Sequence, residues 1–450
     1  MKVTRIAIAA TAAIALAASM AACSGSGSDG AAKAAACTNK IVHASAPQVT
    51  MWAWSPDDKA NVDLFNKTHS DVQICWTNVG AGTVEYGKFS TAIAAGKGAP
   101  DVVMLEADHL TSYEIQGALV DLTKYGINKD KQNFSAGAWT DVSSGAAVYA
   151  YPVDGGPMAM MYRTDIFAKY GITVPKTWDE FTAAAQKLKD AGGPLMADFP
   201  ANQPAFVQAL TAQKGAVPFD YTLTNKKSIG IHANDSATKD VLTYWQGLLS
   251  NKLVGGQNQF TTDYISSVVN GKYATYLSAG WAPGYMVGAG AGQGADKGQW
   301  AVAPLPQWSL DNPVQVNWGG SAYVVTTQSK QPKLAAEVAM GLYGSEQAVK
   351  NGVNIASQFP LNVPQQKADW YVNQKVPFFS GQQANKEVYI PAAAGYQGFS
   401  YSPFTPYYYA QFTEVLTDLI SGKQTGAQAA DSLQNILVSY AKSQGLTVTG

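Results

Sequence analysis

Short apolar runs alternate with amphipathic stretches in the first part of the chain. The runs at 48–53, 71–77 and 101–105 have the length of buried strands and are bounded by turn-forming residues. Apolar residues recur at helical spacing after Pro56 and again over 85–95. This alternation of strands and helices predicts an α/β fold with largely parallel sheets.

The middle and the C-terminal part are richer in helix signals. Thr177 and Glu180 have the spacing of a capping box, in which each side chain satisfies a free N–H at the helix start. Asp235 and Thr425 occupy equivalent positions before two further helices. Each helix then carries an apolar stripe, formed by Phe181, Ala184 and Leu188, by Val241, Trp245, Leu248 and Leu249, and by Ala429, Leu433, Ile436 and Tyr440.

The N-terminus has the pattern of an export signal. Lys2 and Arg5 precede an apolar run, 6–18, that is too short for a permanent membrane span. We therefore expect residues 1–22 to be a signal peptide. The chain then leaves the cytoplasm and works outside the membrane.

Small residues lead directly into Cys23, and a stretch rich in Gly, Ser and Ala follows. This resembles a bacterial lipobox, in which the cysteine is lipidated, although Met20 stands where Leu is usual. We expect a lipidated, mobile tether over 23–45 and a protein held on the extracellular face of the cell membrane. The alternative is ordinary secretion with Cys23 unmodified.

Composition narrows the possible functions. The formal charge is −1, and loss of Lys2 and Arg5 would make it −3, so the chain has no nucleic-acid footprint. Only 14% of residues are charged, whereas there are 11 Trp, 23 Tyr and 15 Phe. Such a chain often presents rings to a ligand, although most rings belong to the core.

Two cysteines remain if Cys23 carries lipid. Cys37 and Cys75 lie in an exported chain, which favours a disulfide, with two buried thiols as the alternative. The bond would close a loop of ~38 residues and contribute about 3 kcal/mol. The four His are scattered and no Cys/His spacing suits a metal, so we expect none.

Several sequence blocks follow one another between Pro47 and Gly445. They are Val49–Trp54, Lys88–Gly96, Ala99–Val103, Gly117–Leu122, Tyr151–Asp154, Met161–Phe167, Pro175–Glu180, Ala303–Pro306, Trp318–Tyr323 and the helices from Tyr407. In their order and spacing, these blocks resemble the extracellular solute-binding proteins of bacterial sugar ABC importers, the class of the maltose-binding protein.

The resemblance implies a two-lobed, type II periplasmic-binding-protein-like fold with a hinge of two or three crossing segments. We expect lobe 1 over 46–153 and 315–355, and lobe 2 over 154–312 and 358–445. It also implies a monomer that captures an oligosaccharide between the lobes and delivers it to ABC transporter permease subunits. No enzymatic activity and no cofactor are expected.

Candidate ligand-binding residues in lobe 1 lie where strands end. Trp54 and Trp52 alternate with Ala53, and Trp54 directly precedes a turn, so its ring is a candidate for stacking. Glu106 and Asp108 follow the strand at 101–105, at the edge where such sheets place ligands. In the family, an Asp at the place of Asp108 accepts sugar hydroxyls.

Other candidates come from the resemblance alone. It implies a sugar-stacking ring at Trp281, backbone close to the ligand at Trp318 and Gly320, and an aromatic residue at Tyr407 or Tyr409. Gln203 and Asp154 complete the set, and Gln203 stands where the maltose-binding relatives carry an acid, which argues against maltodextrin as ligand.

Two alternatives stay open. A secreted glycoside hydrolase needs two carboxylates ~5–9.5 Å apart, a role that Asp108 and Asp154 could fill. The same fold could instead bind a polyamine through the acids Glu85, Glu106, Asp108 and Asp154. A Gly-rich stretch, Gly288–Gly294, lacks the preceding strand and following helix of a dinucleotide site and is interpreted as a loop.

Overall fold

The computed structural model describes residues 37–294 and 296–449. The predicted signal peptide, Cys23 and the first part of the predicted tether lie outside these residues. The strands are β1 Gln48–Trp52, β2 Gln73–Thr77, β3 Val102–Glu106, β4 Ser143–Ser144, β5 Ala147–Val148, β6 Ala150–Pro152, β7 Asp154–Gly155, β8 Met158–Arg163, β9 Phe219–Asp220, β10 Ser228–Ile231, β11 Thr275–Ala279, β12 Trp300–Pro304, β13 Ser321–Val325, β14 Phe359–Pro360 and β15 Thr447–Thr449.

Helices outnumber strands in the described residues. They are α1 Asp58–Thr68, α2 Thr83–Ala94, α3 Ala107–Glu114, α4 Ala136–Asp141, α5 Thr164–Tyr170, α6 Trp178–Asp190, α7 Pro204–Gln213, α8 Ser236–Ser250, α9 Thr262–Val269, α10 Ala282–Gly288, α11 Pro332–Gly341, α12 Glu346–Ala356, α13 Val363–Gln366, α14 Asp369–Val372, α15 Ile390–Gly395, α16 Thr405–Ile420 and α17 Gly426–Ser443. In the part of the chain that the structure describes, no helix combines the length and the apolar character needed to cross a bilayer.

The first lobe is built on a five-stranded sheet in the order β2-β1-β3-β13-β6. Its hydrophobic core draws on residues 49–153 and 322–343. Strands β1, β2 and β3 run parallel, as the apolar runs predict, and β13 enters antiparallel beside β3. β3 is thus a central strand of a buried sheet. The predicted acids Glu106 and Asp108 lie at and just beyond its C-terminal end.

The second lobe contains two further cores, one from residues 158–318 and 408–441, the other from 159–302 and 349–393. Its central sheet, β11-β8-β12, is antiparallel throughout, so the expectation of largely parallel sheets is wrong for this lobe. The apolar content of a strand reports burial on both faces but not direction.

The predicted helix starts are confirmed, with one local difference. Thr177 and Asp235 accept hydrogen bonds from backbone N–H groups in the first turns of α6 and α8. Glu180 reaches back one residue further than a capping box requires and accepts from the Lys176 N–H at 2.6 Å. The full reciprocal box occurs instead at Thr425, where Gln428 supplies the second bond.

The predicted disulfide is present. Cys37 and Cys75 are bonded, and the bond ties the described part of the predicted tether to β2. The neighbouring Asn39 accepts from Trp76 N at 2.8 Å and donates to Ile74 O at 2.8 Å. These contacts cover the outer edge of β2, whose backbone groups would otherwise be unpaired.

Three chain segments pass between the lobes. β7 pairs with β14, and Trp318 N in the third segment donates to Gly156 O at 2.8 Å. The approach is so close that a Cβ on Gly156 would lie 1.8 Å from Trp318 O, a distance that no side chain tolerates. A small set of crossing segments of this kind is the architecture of a hinge.

Candidate functional site

A cleft of about 580 Å³ lies between the two lobes. The first lobe contributes α2, the end of β3 and the start of α3, and the second lobe contributes the starts of α7 and α16. The lining residues are Gly82, Thr83, Tyr86, Gly87, Ser90, Glu106, Asp108, His109, Asn202, Gln203, Pro204, Ala205, Trp318, Gly319, Pro406, Tyr409, Ala410 and Thr413. The volume and the mixed polar and aromatic lining suit a small-molecule ligand.

The acids predicted at the end of β3 form the polar centre of the cleft. Glu106 accepts a hydrogen bond from the Tyr86 hydroxyl at 2.7 Å. Asp108 pairs with His109 Nδ1 through Oδ1 at 2.5 Å and accepts from the Tyr409 hydroxyl through Oδ2 at 2.7 Å. Asp108 is therefore held by one partner from each lobe, His109 of the first and Tyr409 of the second.

The pKa values of Glu106 and Asp108 are shifted in opposite directions. Burial, together with the charge of Asp108, raises the pKa of Glu106 to about 7. Burial also opposes ionisation of Asp108, but the charge of His109 and the hydrogen bonds from His109 and Tyr409 outweigh it and lower its pKa. In return, the Asp108 carboxylate overcomes the effect of burial on His109 and raises the pKa of its imidazole.

Glu106, Asp108 and His109 are also the one group of metal-ligating side chains that converge in the described residues. One ligand atom from each lies within 4.8 Å of the others. Both Asp108 oxygens are engaged by His109 and Tyr409, and Glu106 Oε2 by Tyr86. Glu106 Oε1 is the oxygen left for a ligand donor, and it lies 3.6 Å from the place a Cβ would take on Gly319.

Aromatic residues flank the same position. Trp281, half-buried before α10, donates from Nε1 to Trp318 O at 2.8 Å. That nitrogen would lie 3.2 Å from a Cβ on Gly319, so the ring lies beside the lining backbone. Trp318 itself is buried and packs against Phe206, with 5.3 Å between ring centroids.

The other predicted residues divide between the lining and the hinge. Gln203 lines the cleft just before α7. Asp154 and Gly320 lie in the crossing segments, where Asp154 Oδ1 accepts from Ser321 N at 2.9 Å. Gly320 has a φ of 120°, and a Cβ there would lie 2.9 Å from Asp154 O, which explains the glycine. Burial raises the pKa of Asp154 to about 6.

Trp54 and Tyr407 lie outside the lining, as does the Trp281 ring that adjoins Gly319. Trp54 packs edge-on against Tyr86 at 5.5 Å, behind the cleft wall. Tyr407 stacks on Tyr440 of α17 at 3.6 Å, so it packs within the second lobe. Tyr409, two residues later on the same helix, reaches Asp108.

Several lining residues have no clear signal in the sequence. Tyr86 and His109 are found only because the structure brings α2 beside α3, where their rings stack at 4.1 Å. Asn202 donates to Gln259 O at 2.9 Å and fixes the loop that carries Phe260. Phe260 has a φ of 59°, unusual for a large residue, and its ring lies 6.0 Å from that of Trp281.

Two lobes, a three-segment hinge and a polar, ring-flanked cleft between the lobes define a ligand-binding protein of the hinged type. The chain belongs to the bacterial extracellular solute-binding protein family, whose model matches residues 53–350. The predicted resemblance is thereby confirmed at the level of family and fold.

Individual relatives agree with this assignment. An arabinooligosaccharide-binding protein of Bacillus subtilis is 28% identical over 67% of this chain and 69% of its own length. A binding protein from Bifidobacterium animalis subsp. lactis, solved with β-1,6-galactobiose, is 28% identical, with a TM-score of 0.78 over 90% of this chain and 100% of that one. The galacto-N-biose/lacto-N-biose I-binding protein of Bifidobacterium longum has the same fold, with 24% identity, a TM-score of 0.78, and coverage of 90% and 99%.

Proposed function

We propose that this protein captures a short oligosaccharide outside the cell and delivers it to the permease of an ABC importer. The observation that carries the proposal is the convergence of Glu106 and Asp108 on a ring-flanked cleft between two hinged lobes. The protein is a monomer, exported by the signal peptide at 1–22 and held at the membrane by lipid on Cys23.

The cleft chemistry suits a neutral, hydroxyl-rich solute. Asp108 is ionised and can accept from ligand hydroxyls more strongly than a neutral group would. His109 balances the charge of Asp108, and burial raises the pKa of Glu106 to about 7, so the centre of the cleft carries less negative charge at neutral pH than two free carboxylates would. A polyamine would need several uncompensated acids, and this pairing argues against one.

The relatives narrow the class of sugar. One binds arabino-oligosaccharides, another is a lactose-binding protein of Rhizobium radiobacter, and a third was solved with β-1,6-galactobiose. We propose arabinose- or galactose-containing oligosaccharides as the first ligands to test. The absence of an acid at Gln203 supports this choice over maltodextrins.

The protein binds without turnover. Glycoside hydrolysis needs one carboxyl group free to protonate the leaving oxygen and a second free to attack or to activate water. Here His109 and Tyr409 hold both oxygens of Asp108, and Asp154 is engaged with Ser321 in the hinge, so Glu106 is the one of these three acids with an oxygen left free, where hydrolysis needs two free carboxyl groups. These contacts support a binding role for the acids.

A thermal-shift screen of the mature domain against arabino- and galacto-oligosaccharides tests the proposal. A ligand at ~100 times its dissociation constant should stabilise the protein by about 2.7 kcal/mol, a visible shift. Incubation with the best ligand should release no new reducing ends over many hours. No shift with any sugar, or hydrolysis that Asp108→Asn abolishes, would contradict the proposal.

A further inference from the structure

A second cavity, of about 390 Å³, lies beside the candidate cleft. Its walls include the amides of Gln208, Gln315 and Gln397 and the rings of Tyr396 and Phe399. Amides and rings together are a lining that suits sugar hydroxyls and sugar faces. None of these residues is among the ligand-binding residues predicted from the sequence.

A narrow neck connects this cavity with the cleft. The neck shares Asp108 and Tyr409 with the cleft, and Gln208 and Phe399 with the second cavity. Its volume is about 10 Å³, against about 580 and 390 Å³ on either side. A space of that size holds about one water molecule, so no sugar ring passes.

Hydrogen bonds close the neck. The Tyr409 hydroxyl lies 2.7 Å from Asp108 Oδ2 and 3.3 Å from Gln208 Oε1. Gln208 is 4% exposed and, together with Phe399, lies between the neck and the second cavity. Because α7 and α16 pack in the same core, the contact between Gln208 and Tyr409 does not depend on closure of the lobes.

We infer that Gln208 determines the length of the ligand. Its side chain ends the cleft, so the protein selects oligosaccharides of two or three units. The second cavity accepts further sugar units only when the Gln208 side chain is shortened. This inference rests on the proposed carbohydrate function and assigns to Gln208 the role of a specificity-determining residue.

Calorimetric titration with two series of ligands tests the inference. One series consists of β-1,6-linked galacto-oligosaccharides and the other of arabino-oligosaccharides, each of two to five units. In the series that binds, the affinity of wild-type protein for two or three units should be at least tenfold higher than its affinity for five. Gln208→Ala should improve binding of the five-unit ligand at least tenfold and change binding of the two-unit ligand no more than threefold. If Gln208→Ala does not fold, Gln208→Asn keeps the amide, shortens it and should shift the preference in the same direction.

Gln315→Ala is the matched control, because Gln315 lines only the second cavity. Alone it should leave every affinity unchanged, and combined with Gln208→Ala it should reduce the gain for the five-unit ligand at least threefold. A wild-type preference for long ligands, or an unchanged length profile in folded Gln208→Ala and Gln208→Asn, overturns the role of Gln208. Wild-type protein that binds neither series counts instead against the proposed function.

Discussion

The hydroxyl of Tyr409 lies 2.7 Å from Oδ2 of Asp108, and this hydrogen bond joins α16 of the second lobe to α3 of the first. Thr405, at the start of α16, adds a bond from Oγ1 to Asp108 O at 2.7 Å. The candidate ligand acceptor is therefore also a contact that holds the lobes together. Ligand binding and lobe closure should respond to the same substitutions.

Tyr409→Phe should weaken ligand affinity about tenfold. A hydrogen bond to a charged group contributes about 1.5–3 kcal/mol, and 1.4 kcal/mol corresponds to a factor of ten. Without ligand, the variant should also have a larger radius of gyration in X-ray scattering, because a contact between the lobes is lost. Tyr407→Phe is the control, since Tyr407 stacks on Tyr440 and should change neither quantity. Equal affinities for the two variants would contradict the role of Tyr409.

Asp198→Asn should change how stability depends on pH. Asp198 is buried, and burial raises its pKa to about 7 despite hydrogen bonds from Tyr264 and Gln259. The folded state thus binds the proton more tightly than the unfolded state, and the resulting stability, present below about pH 4, is lost as the pH rises to about 7.

The stability of Asp198→Asn relative to wild type should therefore increase between pH 4 and pH 8, by roughly 4 kcal/mol at most. Urea unfolding at several pH values measures this difference. A constant difference between Asp198→Asn and wild type would mean that folding does not raise the pKa of Asp198.

The position of the first-lobe acids can be predicted from the sequence because it follows from a general rule. Ligands bind beyond the C-terminal ends of buried strands, and Glu106 and Asp108 directly follow such a strand. The rings were harder to assign. Tyr407 and Tyr409 are two positions apart on one helix, and only the packing of α16 on α17 decides which of them reaches the cleft.

Other residues in and around the cleft could not be predicted from one sequence. Tyr86, Gln208 and Phe260 belong to elements far apart along the chain, and their roles depend on which helix packs beside which strand. The antiparallel direction of the sheet around β8 could not be predicted for a similar reason, because apolar runs do not encode strand direction. Local signals such as Thr177 and Asp235 were reliable because a cap involves only the next three residues.

Removal of the disulfide should lower the free energy of unfolding by about 3 kcal/mol. The double variant Cys37→Ser/Cys75→Ser, in a mature domain lacking Cys23, should show this loss in urea unfolding. The same domain without these substitutions should contain no free thiol when unfolded without reductant. Two free thiols, or equal stabilities, would contradict a structural role for the bond.

Cys23→Ala should release the protein from the membrane fraction or block its processing. The reason is chemical, since lipidation at this position needs a thiol and alanine has none. Cell fractionation with immunodetection measures the distribution. Cys37→Ala is the control and should leave membrane association intact. Unchanged processing and membrane association of Cys23→Ala would mean that the protein is not a lipoprotein anchored there.

Trp281→Ala should weaken binding of the best oligosaccharide at least ~30-fold, about 2 kcal/mol. The ring lies beside Gly319 in the cleft wall, where loss of a stacking face removes contact area that a ligand would cover. Trp281→Phe keeps an aromatic face for stacking but loses the hydrogen bond to Trp318 O, so its affinity should lie between those of Trp281→Ala and wild type. Trp370→Ala, at a half-buried ring that packs on the second-lobe core of residues 159–302 and 349–393, controls for general destabilisation. If calorimetry shows that Trp281→Ala binds the ligand as tightly as wild type does, the ring belongs to the core and the ligand lies nearer to Tyr86 and Tyr409.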